Sequence, residues 1–333
     1  MFPQWLRYLI IATVAASLSG VRAFGSSTAE DRLLRLVPAN AAIVAGINDP
    51  HHEDQSGRLL IVTHNNKVDL GDWITLAGVD DRREVDQLIE VAMPSARGDL
   101  GEHLLLAHGT FNGRRILQTA QDNGAVASNY AGVRIVILKP FAREQKEMTD
   151  TRWLALPDDN TAIFGTPAMV KNALDRYRLS TAADGALVKR LQALKPDVNC
   201  WSVLSMPGAV LARHLRAGFL DESGSALLRR MNDVAIGVHY GSKERVDFAI
   251  STDSPEAARA LAAHIGERSL LLAVADTRRT RSASVSVEQN EVRGSVRVPD
   301  KEFESLGLAA VYARLSGSGG TNGEEVARAG GAR

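Results

Sequence analysis

The chain has 333 residues, enough for one large or two medium domains, and its 45% apolar content can fill a buried core. Lys and Arg together number 39, as do Asp and Glu, so no net field draws the chain to nucleic acid or anionic lipid. Aromatic residues make up only 5%, which argues against a base-stacking platform. We expect no nucleic-acid partner.

The N-terminal segment has the pattern of an export signal. Arg7 precedes an apolar run over residues 8–18, and Val21 and Ala23 flank Arg22 at the positions that a signal peptidase reads. A membrane anchor is the alternative, but a bilayer core needs about 20 apolar residues. The sequence predicts a signal peptide at residues 1–23, an exported, periplasmic or secreted protein, and no transmembrane segment in the mature chain.

Cys200 is the single cysteine, so no intramolecular disulfide forms in an oxidising compartment. It lies in the apolar stretch NCWSVLS, which has strand character. We interpret it as a small buried apolar side chain. A reactive thiol is the alternative.

Residues 24–100 are predicted to form an N-terminal α+β segment. Strands are expected at residues 41–47 and 58–63, and a helix over residues 78–94. In that helix the apolar side chains recur at helical spacing and the charged ones face away, and Asp81 with Glu84 has the spacing of a capping box. The apolar stripe consists of Val85, Leu88, Ile89 and Ala92, and the solvated face of Arg82, Arg83, Asp86, Gln87 and Glu90.

From residue 101 onward one series of elements is read twice, as βαββα over residues 101–198 and βαββαβ over residues 199–315. The first unit has strands at 104–110, 133–138, 152–156 and 161–164, with helices at 112–121 and 167–177. The second has strands at 199–205, 234–240, 246–251 and 283–288, with helices at 207–219 and 255–265. A strand at 292–298 and a helix at 301–315 follow, and the Gly-rich residues 316–333 are predicted to be a disordered tail. The fold class is α+β, with repeated ferredoxin-like or split βαβ units and mixed, largely antiparallel sheets.

The corner Gly165-Thr166 lies between a predicted strand and a predicted helix. Pro167, and likewise Pro207 and Pro255, is expected at the first turn of a helix, where a missing N–H costs nothing. The residue before the proline is a hydroxyl residue in two cases, Thr166 and Ser254, and can cap the free amides. We interpret Thr166 as an N-cap. Anion binding at this helix start is the alternative.

Common catalytic signatures are missing: the sequence has no G-x-S-x-G, H-E-x-x-H, C-x-x-C, P-loop or G-x-G-x-x-G motif. The strongest remaining candidate is the segment His51, His52, Glu53 and Asp54, with His64 as a further metal ligand. Successive side chains of an extended segment point in opposite directions, so adjacent residues chelate one ion poorly. We interpret the segment as a hydrated loop and assign no catalytic, cofactor or metal residue.

The other histidines are interpreted as surface or partly buried side chains; they are His103, His108, His214, His239 and His264. The carboxylate pairs Asp80-Asp81 and Asp158-Asp159 fit turns or caps.

RLLRLVPANAAIVAGIN and TLAGVDDRREVDQLIEVA resemble the opening of a loose group of uncharacterised, predicted secreted bacterial proteins of the acidobacterial type. AIFGTPAMVKNALD is similar to a strand and helix that recur in that group. The resemblance implies export and an α+β fold, and it implies no activity and no functional residue.

Three functions are open from the sequence. The first is a noncatalytic exported module that binds another envelope or extracellular protein or has a structural role in the envelope. The second is an exported metal-assisted hydrolase that uses the His51 to Asp54 loop. The third is a periplasmic protein that captures a small ligand between the two repeats.

Overall fold

The computed structural model describes residues 28–48, 78–79, 84–95, 100–139, 142–143, 146–147, 151–194, 198–208, 222–239, 244–267 and 283–298. The strands are β1 (Ile43–Asn48), β2 (Val85–Pro94), β3 (Leu100–Gly109), β4 (Val126–Tyr130), β5 (Val133–Leu138), β6 (Ala142–Arg143), β7 (Lys146–Glu147), β8 (Arg152–Asp158), β9 (Thr161–Gly165), β10 (Cys200–Leu204), β11 (Met231–His239), β12 (Glu244–Thr252), β13 (Ala283–Glu288) and β14 (Glu291–Val298). The helices are α1 (Thr28–Leu34), α2 (Gly113–Asp122), α3 (Pro167–Arg178), α4 (Gly185–Gln192), α5 (Glu222–Arg229) and α6 (Pro255–Glu267).

One large sheet organises the described residues. It has 12 strands in the order β13-β14-β12-β11-β10-β1-β2-β3-β9-β8-β5-β4, and β6 and β7 form a separate two-stranded ribbon. Each of its strand pairs is antiparallel. Because β10 pairs with β1, the sheet continues across the predicted boundary between residues 198 and 199.

Alternate residues of β10 define the two faces of the sheet, the Trp201 face and the Cys200 face. The centre of the Trp201 face is covered by α1, α3 and α4. One apolar cluster joins side chains of these helices to strand residues such as Val44, Leu106 and Val203. The wide, continuous core explains why the central strands are apolar on both sides.

The Cys200 face is covered in two places. At the β9 side, α2 packs Ile116 and Ala120 against Leu105, Phe164 and their neighbours. At the β12 side, α6 packs Ala258, Leu261 and Ile265 against the strands. Antiparallel strands with helices on both faces therefore confirm the α+β class and the largely antiparallel sheet.

The repeated ferredoxin-like units are not confirmed. In a split βαβ unit the two strands connected through a helix run parallel with a third strand between them, whereas β10 and β11, which α5 connects, are direct antiparallel neighbours. The two hairpins that are followed by proline-initiated helices also differ, because α3 packs in the cluster of the Trp201 face and α6 in a cluster of the Cys200 face.

The helix predicted over residues 78–94 is wrong, because Val85–Pro94 forms strand β2. The apolar residues fit a helical stripe only by coincidence. Leu88 and Ile89 lie on opposite faces of the sheet, and both faces are covered at this central strand. Irregular register at each end of the strand further disturbs the alternation.

The predicted solvated face of that segment is also wrong in part. Gln87 is buried and Glu90 is largely buried, whereas Asp86 remains exposed. Glu84 does not form the predicted capping box, because the residues that follow it form a strand. Its carboxylate accepts a hydrogen bond from the backbone N–H of Asn112 at 3.3 Å and pairs with Arg115, so it fixes the start of α2.

Most other predicted elements are confirmed within one to four residues. They are the strands β1, β3, β5 and β8 to β14 and the helices α2, α3 and α6, some of which extend a few residues beyond the predicted ends. The turns after β8 and β13 are also where the sequence predicts them, since Asp159-Asn160 and Gln289-Asn290 connect the paired strands.

The sequence prediction lacks β4, α4 and α5, and also the two-residue strands β6 and β7. Strand β4 is short and mostly exposed, so it lacks an apolar pattern. It pairs with β5 through Ala131 and Gly132, whose φ angles are +53° and +87°. These values fit a type I′ turn, which normally carries Asn-Gly, and Ala-Gly gives a weaker signal.

The signal peptide, the strand at 58–63, the helix at 301–315 and the tail at 316–333 lie outside the described residues, as does all of the helix at 207–219 after residue 208. Among the described helices, none combines the length and apolar character needed to cross a membrane.

Truncating a buried leucine on a covering helix should destabilise the fold. Leu174 on α3 and Leu261 on α6 are 0% and 1% exposed, and we expect Leu174→Ala and Leu261→Ala each to lower the free energy of unfolding by about 2 to 5 kcal/mol. Denaturant titration measures this. Leu179→Ala is the control, because Leu179 is 78% exposed and should change stability by less than about 0.5 kcal/mol. Equal effects at all three sites would contradict the packing.

Candidate functional site

The predicted metal-binding segment, His51 to Asp54 with His64, lies outside the described residues. Its interpretation as a hydrated loop therefore stays a prediction. Within the described part of the chain, no group of three or more His, Cys, Asp and Glu side chains is placed to hold a metal ion.

The Gly165-Thr166 corner has the structural role predicted for it. Thr166 is the N-cap of α3, its Oγ1 accepts from the backbone N–H of Met169 at 3.4 Å, and it donates to Glu102 Oε1 at 2.8 Å. Gly165 is required for close packing, because a Cβ there would lie 2.7 Å from the carbonyl oxygen of His103. Both hydrogen-bonding directions of the Thr166 hydroxyl are used within the fold.

The same chemistry recurs at α6, where the backbone N–H of Ala257 donates to Ser254 Oγ at 3.2 Å. Cys200, predicted to be a buried apolar side chain, is 2% exposed. The carboxylate of Asp158 accepts from the backbone N–H of Asn160 at 2.8 Å and from the Tyr177 hydroxyl at 2.7 Å. The predicted turn role of Asp158 is thus confirmed, and it also holds α3 to the sheet.

The strongest cluster of ionisable groups lies on the Trp201 face of β11 and β12. Residues His239 and Arg245 are opposite each other in the two strands, and Asp247 is two residues along β12 on the same face. His239 Nε2 lies 2.6 Å from Asp247 Oδ2, and Arg245 Nε donates to the same oxygen at 3.1 Å. We call His239, Arg245 and Asp247 the β-sheet charge cluster.

Two members of this cluster are buried, since the side chains of His239 and Asp247 are 8% and 6% exposed. A buried carboxylate needs several donors. Burial raises the pKa of Asp247, but hydrogen bonds from the side chains of His239 and Ser295, together with the nearby positive charges, lower the pKa to about 2. Asp247 is therefore a carboxylate at neutral pH.

A histidine held by a carboxylate is half of a general-base arrangement. In this cluster, however, Arg245 Nη2 lies 2.8 Å from both ring nitrogens of His239. A guanidinium only donates and a carboxylate only accepts, so a ring with its hydrogen on Nε2 can donate to Asp247 and accept from Arg245 at Nδ1. Both nitrogens are engaged within the protein, so the geometry fits a cross-strand clamp better than a base that takes a proton from a substrate.

A second polar cluster holds α4 to the sheet. Arg190 Nη2 lies 3.0 Å from Asp233 Oδ2, and the Ser251 hydroxyl donates to the same oxygen at 2.8 Å. Arg190 Nη1 also donates to Ser205 Oγ at 2.9 Å. These contacts tie β10, β11 and β12 to one helix and use the donors of Arg190 internally.

The remaining predicted histidines are distributed over the molecule. His103 Nδ1 lies 3.3 Å from Glu90 Oε1 on the Cys200 face, and His108 Nδ1 lies 3.8 Å from the exposed Asp86. His264 is on α6, and His214 is outside the described residues. The described histidines do not converge on one place, and His239, at 6% exposed, is more buried than its interpretation as a surface or partly buried side chain predicts.

Sequence reasoning missed the β-sheet charge cluster, although the signal was present. His239 and Asp247 are eight residues apart, on either side of a predicted turn, in HYGSKERVDF. Side chains at that spacing meet across a hairpin only in one register, and the register was not known from the sequence.

The strands at the two ends of the sheet, β4 and β13, are largely exposed. On the Trp201 face, β13 and β14 carry polar side chains, and Arg293 pairs with Glu291 and, at 3.9 Å, with Glu288. Val287 on β13 and Val126 on β4 are 38% and 42% exposed. These two strands are the outermost strands at the opposite ends of the sheet.

Comparison of the chain with protein-family models, with curated proteins and with solved structures found no match.

Removing the Asp247 carboxylate of the β-sheet charge cluster should make the free energy of unfolding depend less on pH in the acidic range. A pKa of about 2 in the folded protein lies below the unfolded value of about 4, so ionised Asp247 stabilises the fold above pH 4 and this contribution is lost as the pH falls to about 2. We expect Asp247→Asn to lower the free energy of unfolding by about 2 kcal/mol at pH 7, and the difference from wild type to shrink toward pH 2.

Denaturant titrations across this pH range measure the effect, and Asp253→Asn is the control. Asp253 pairs with Arg230 at the surface and is about half exposed, so its replacement should cost less than about 1 kcal/mol. A wild-type stability in the Asp247→Asn variant at pH 7 would show that the carboxylate does not hold the strands.

Proposed function

We propose that this protein is a noncatalytic exported module that binds another envelope or extracellular protein through the edges of its sheet. The observation that carries the proposal is the exposure of β4 and β13, which within the described residues are the outermost strands of the 12-stranded antiparallel sheet. An exposed edge presents unpaired backbone donors and acceptors, and an extended segment of a partner can add to it as a further strand.

The chemistry of the two edges supports this use. Natural edge strands are commonly protected by lysine, proline or a bulge. The β4 sequence VASNY has no charged residue or proline, and the β13 sequence ASVSVE has one charge, on Glu288 at its end. Both strands pair along their inner side without a register shift, so neither edge is protected by a bulge in that pairing.

The paired ionisable groups support a noncatalytic role. The β-sheet charge cluster, the Arg190–Asp233 pair and the Asp158–Tyr177 hydrogen bond each connect strands or helices within the fold. Charged groups held in this way give rigidity and register, which a binding scaffold needs. Export is part of the proposal and is supported by the N-terminal sequence pattern.

Site-specific cross-linking in a bacterial host tests the proposal. A photoreactive residue at position 128 in β4 or 286 in β13 should give discrete adducts, and at least one of the two positions should capture a protein of different mass, because both side chains lie on exposed edge strands. Position 189 on α4 is the control, since it is exposed and its helix packs on the central strand β10. The intact mass of the purified protein should lack residues 1–23.

Adducts of equal yield at all three positions, or adducts that contain only a second copy of this chain, would contradict binding of another protein at the edges. Retention of residues 1–23 in a membrane fraction would contradict export in cleaved form.

A further inference from the structure

The two ends of the sheet differ in what they can pair with, and the difference points to separate partners. At the β4 end, Tyr130 is already used within the molecule: its ring lies 6.3 Å from that of Trp153, and Lys171 Nζ lies 5.7 Å from its centroid. At the β13 end, Val287 is 38% exposed and Val285 is only partly buried against the core. Strand β13 thus offers two valines with exposed surface on one face of the sheet, whereas β4 offers one, Val126, which is 42% exposed.

We propose that β13 pairs with β13 of a second copy, so that two sheets join into one antiparallel sheet about a two-fold axis. The inference rests on the proposed use of sheet edges for binding, and it assigns the β13 edge to a second copy while leaving β4 for another protein. A two-fold interface needs a surface that is complementary to itself.

Strand β13 meets this requirement. Its side chains alternate, with Ser284, Ser286 and Glu288 on the Trp201 face and Val285 and Val287 on the Cys200 face. An axis perpendicular to the sheet keeps each face continuous across the two copies, and antiparallel partners then lie on the same face. Serine meets polar residues and valine meets valine in such an arrangement.

With the axis at Ser286, this residue faces Ser286 of the second copy, Val285 faces Val287, and Ser284 faces Glu288. Opposed β-branched pairs stabilise a sheet, and like charges directly opposite destabilise it. This register creates two Val–Val pairs and no pair of like charges. The Glu288 carboxylates, which each lie beside Arg293 in their own chain, are separated from each other by the length of the strand.

The contact is small, since it adds one strand pair and the side chains beside it. Interfaces below about 1,000 Å² are weak and transient unless other contacts add to them. The dimer should therefore be reversible and depend on concentration.

Sedimentation velocity of the purified protein over about a hundredfold range of concentration tests the inference. Wild type should shift from monomer toward dimer. Val287→Lys should remain a monomer, because lysine places a charge against Val285 of the second copy, a common protection of edge strands. The unfolding midpoint of this variant should stay near wild type, since Val287 is already 38% exposed.

Charge changes at Ser284 test the register without touching the core. Ser284→Lys should strengthen dimerisation and Ser284→Glu should weaken it, each by about twofold to thirtyfold, because two cross-strand charge pairs with Glu288 form in each dimer. Ser284 is exposed and opposite Ser295 in its own sheet, so both variants should fold like wild type.

Cysteine cross-linking gives a direct geometric readout. Under mild oxidation Ser286→Cys should form a disulfide-linked dimer, because opposed Cβ atoms lie about 5 Å apart across the axis. Ser284→Cys is the matched control, because its two copies would be about 13 Å apart along the strands. The native Cys200 is buried and is present in both variants, so it does not account for a difference between them.

A protein that stays monomeric at every concentration, or a dimer that is unaffected by Val287→Lys and by the charge at residue 284, would overturn the inference. A monomer whose position 286 cross-links to a different protein in the host would overturn the second copy as occupant and leave the proposed function standing. A dimer without any adduct to another protein would support the second copy as occupant of the β13 edge and contradict the proposed binding of another protein.

Discussion

The structure depends on the insertion of β1 between β2 and β10. Strands β2 to β5, β8 and β9 lie on one side of it and strands β10 to β14 on the other, and in the described residues β1 alone joins them by backbone pairing. Its partner residues continue in register on both sides, so the sheet is one hydrogen-bonded unit. A strand near the beginning of the described chain thus closes a contact between segments more than 100 residues apart.

One packing contact explains why β1 has its sequence. Trp201 of β10 lies over Gly46, and a Cβ at that glycine would be 2.3 Å from the indole. The indole is 1% exposed and belongs to the core of the Trp201 face. Glycine at this position lets the largest buried side chain of the central strands lie against the backbone, and the helices α1, α3 and α4 cover the same core.

Much of the fold follows from sequence because local signals and tertiary packing agree. Thr166 and Ser254 before proline set the starts of α3 and α6, and the apolar period of each helix gives the face that packs. The strand β2 was misread for the opposite reason. A strand covered on both faces has no alternation, and Val85, Leu88, Ile89 and Ala92 then match a helical period by chance.

The site could be predicted only in part. Individual roles for Thr166, Asp158 and Cys200 follow from neighbours in sequence, whereas the contact of His239, Arg245 and Asp247 requires the register of a hairpin. The order of strands depends on pairings between distant segments, and these are set by packing of the whole chain, which no local pattern contains. The exposure of β4 and β13 also follows from that order, because these strands lie at the ends of the sheet and each pairs with only one other strand of the described residues.

Native-state hydrogen exchange of β1 tests most directly whether the two sides form one unit. The hydrogen-bonded amides of Ile43–Asn48 should exchange only through global unfolding, with the same free energy of opening as amides in β9 and β11. Exchange of β1 amides at a clearly lower free energy, with β9 and β11 opening at two different free energies, would show that the halves fold separately and would contradict a single sheet joined through β1.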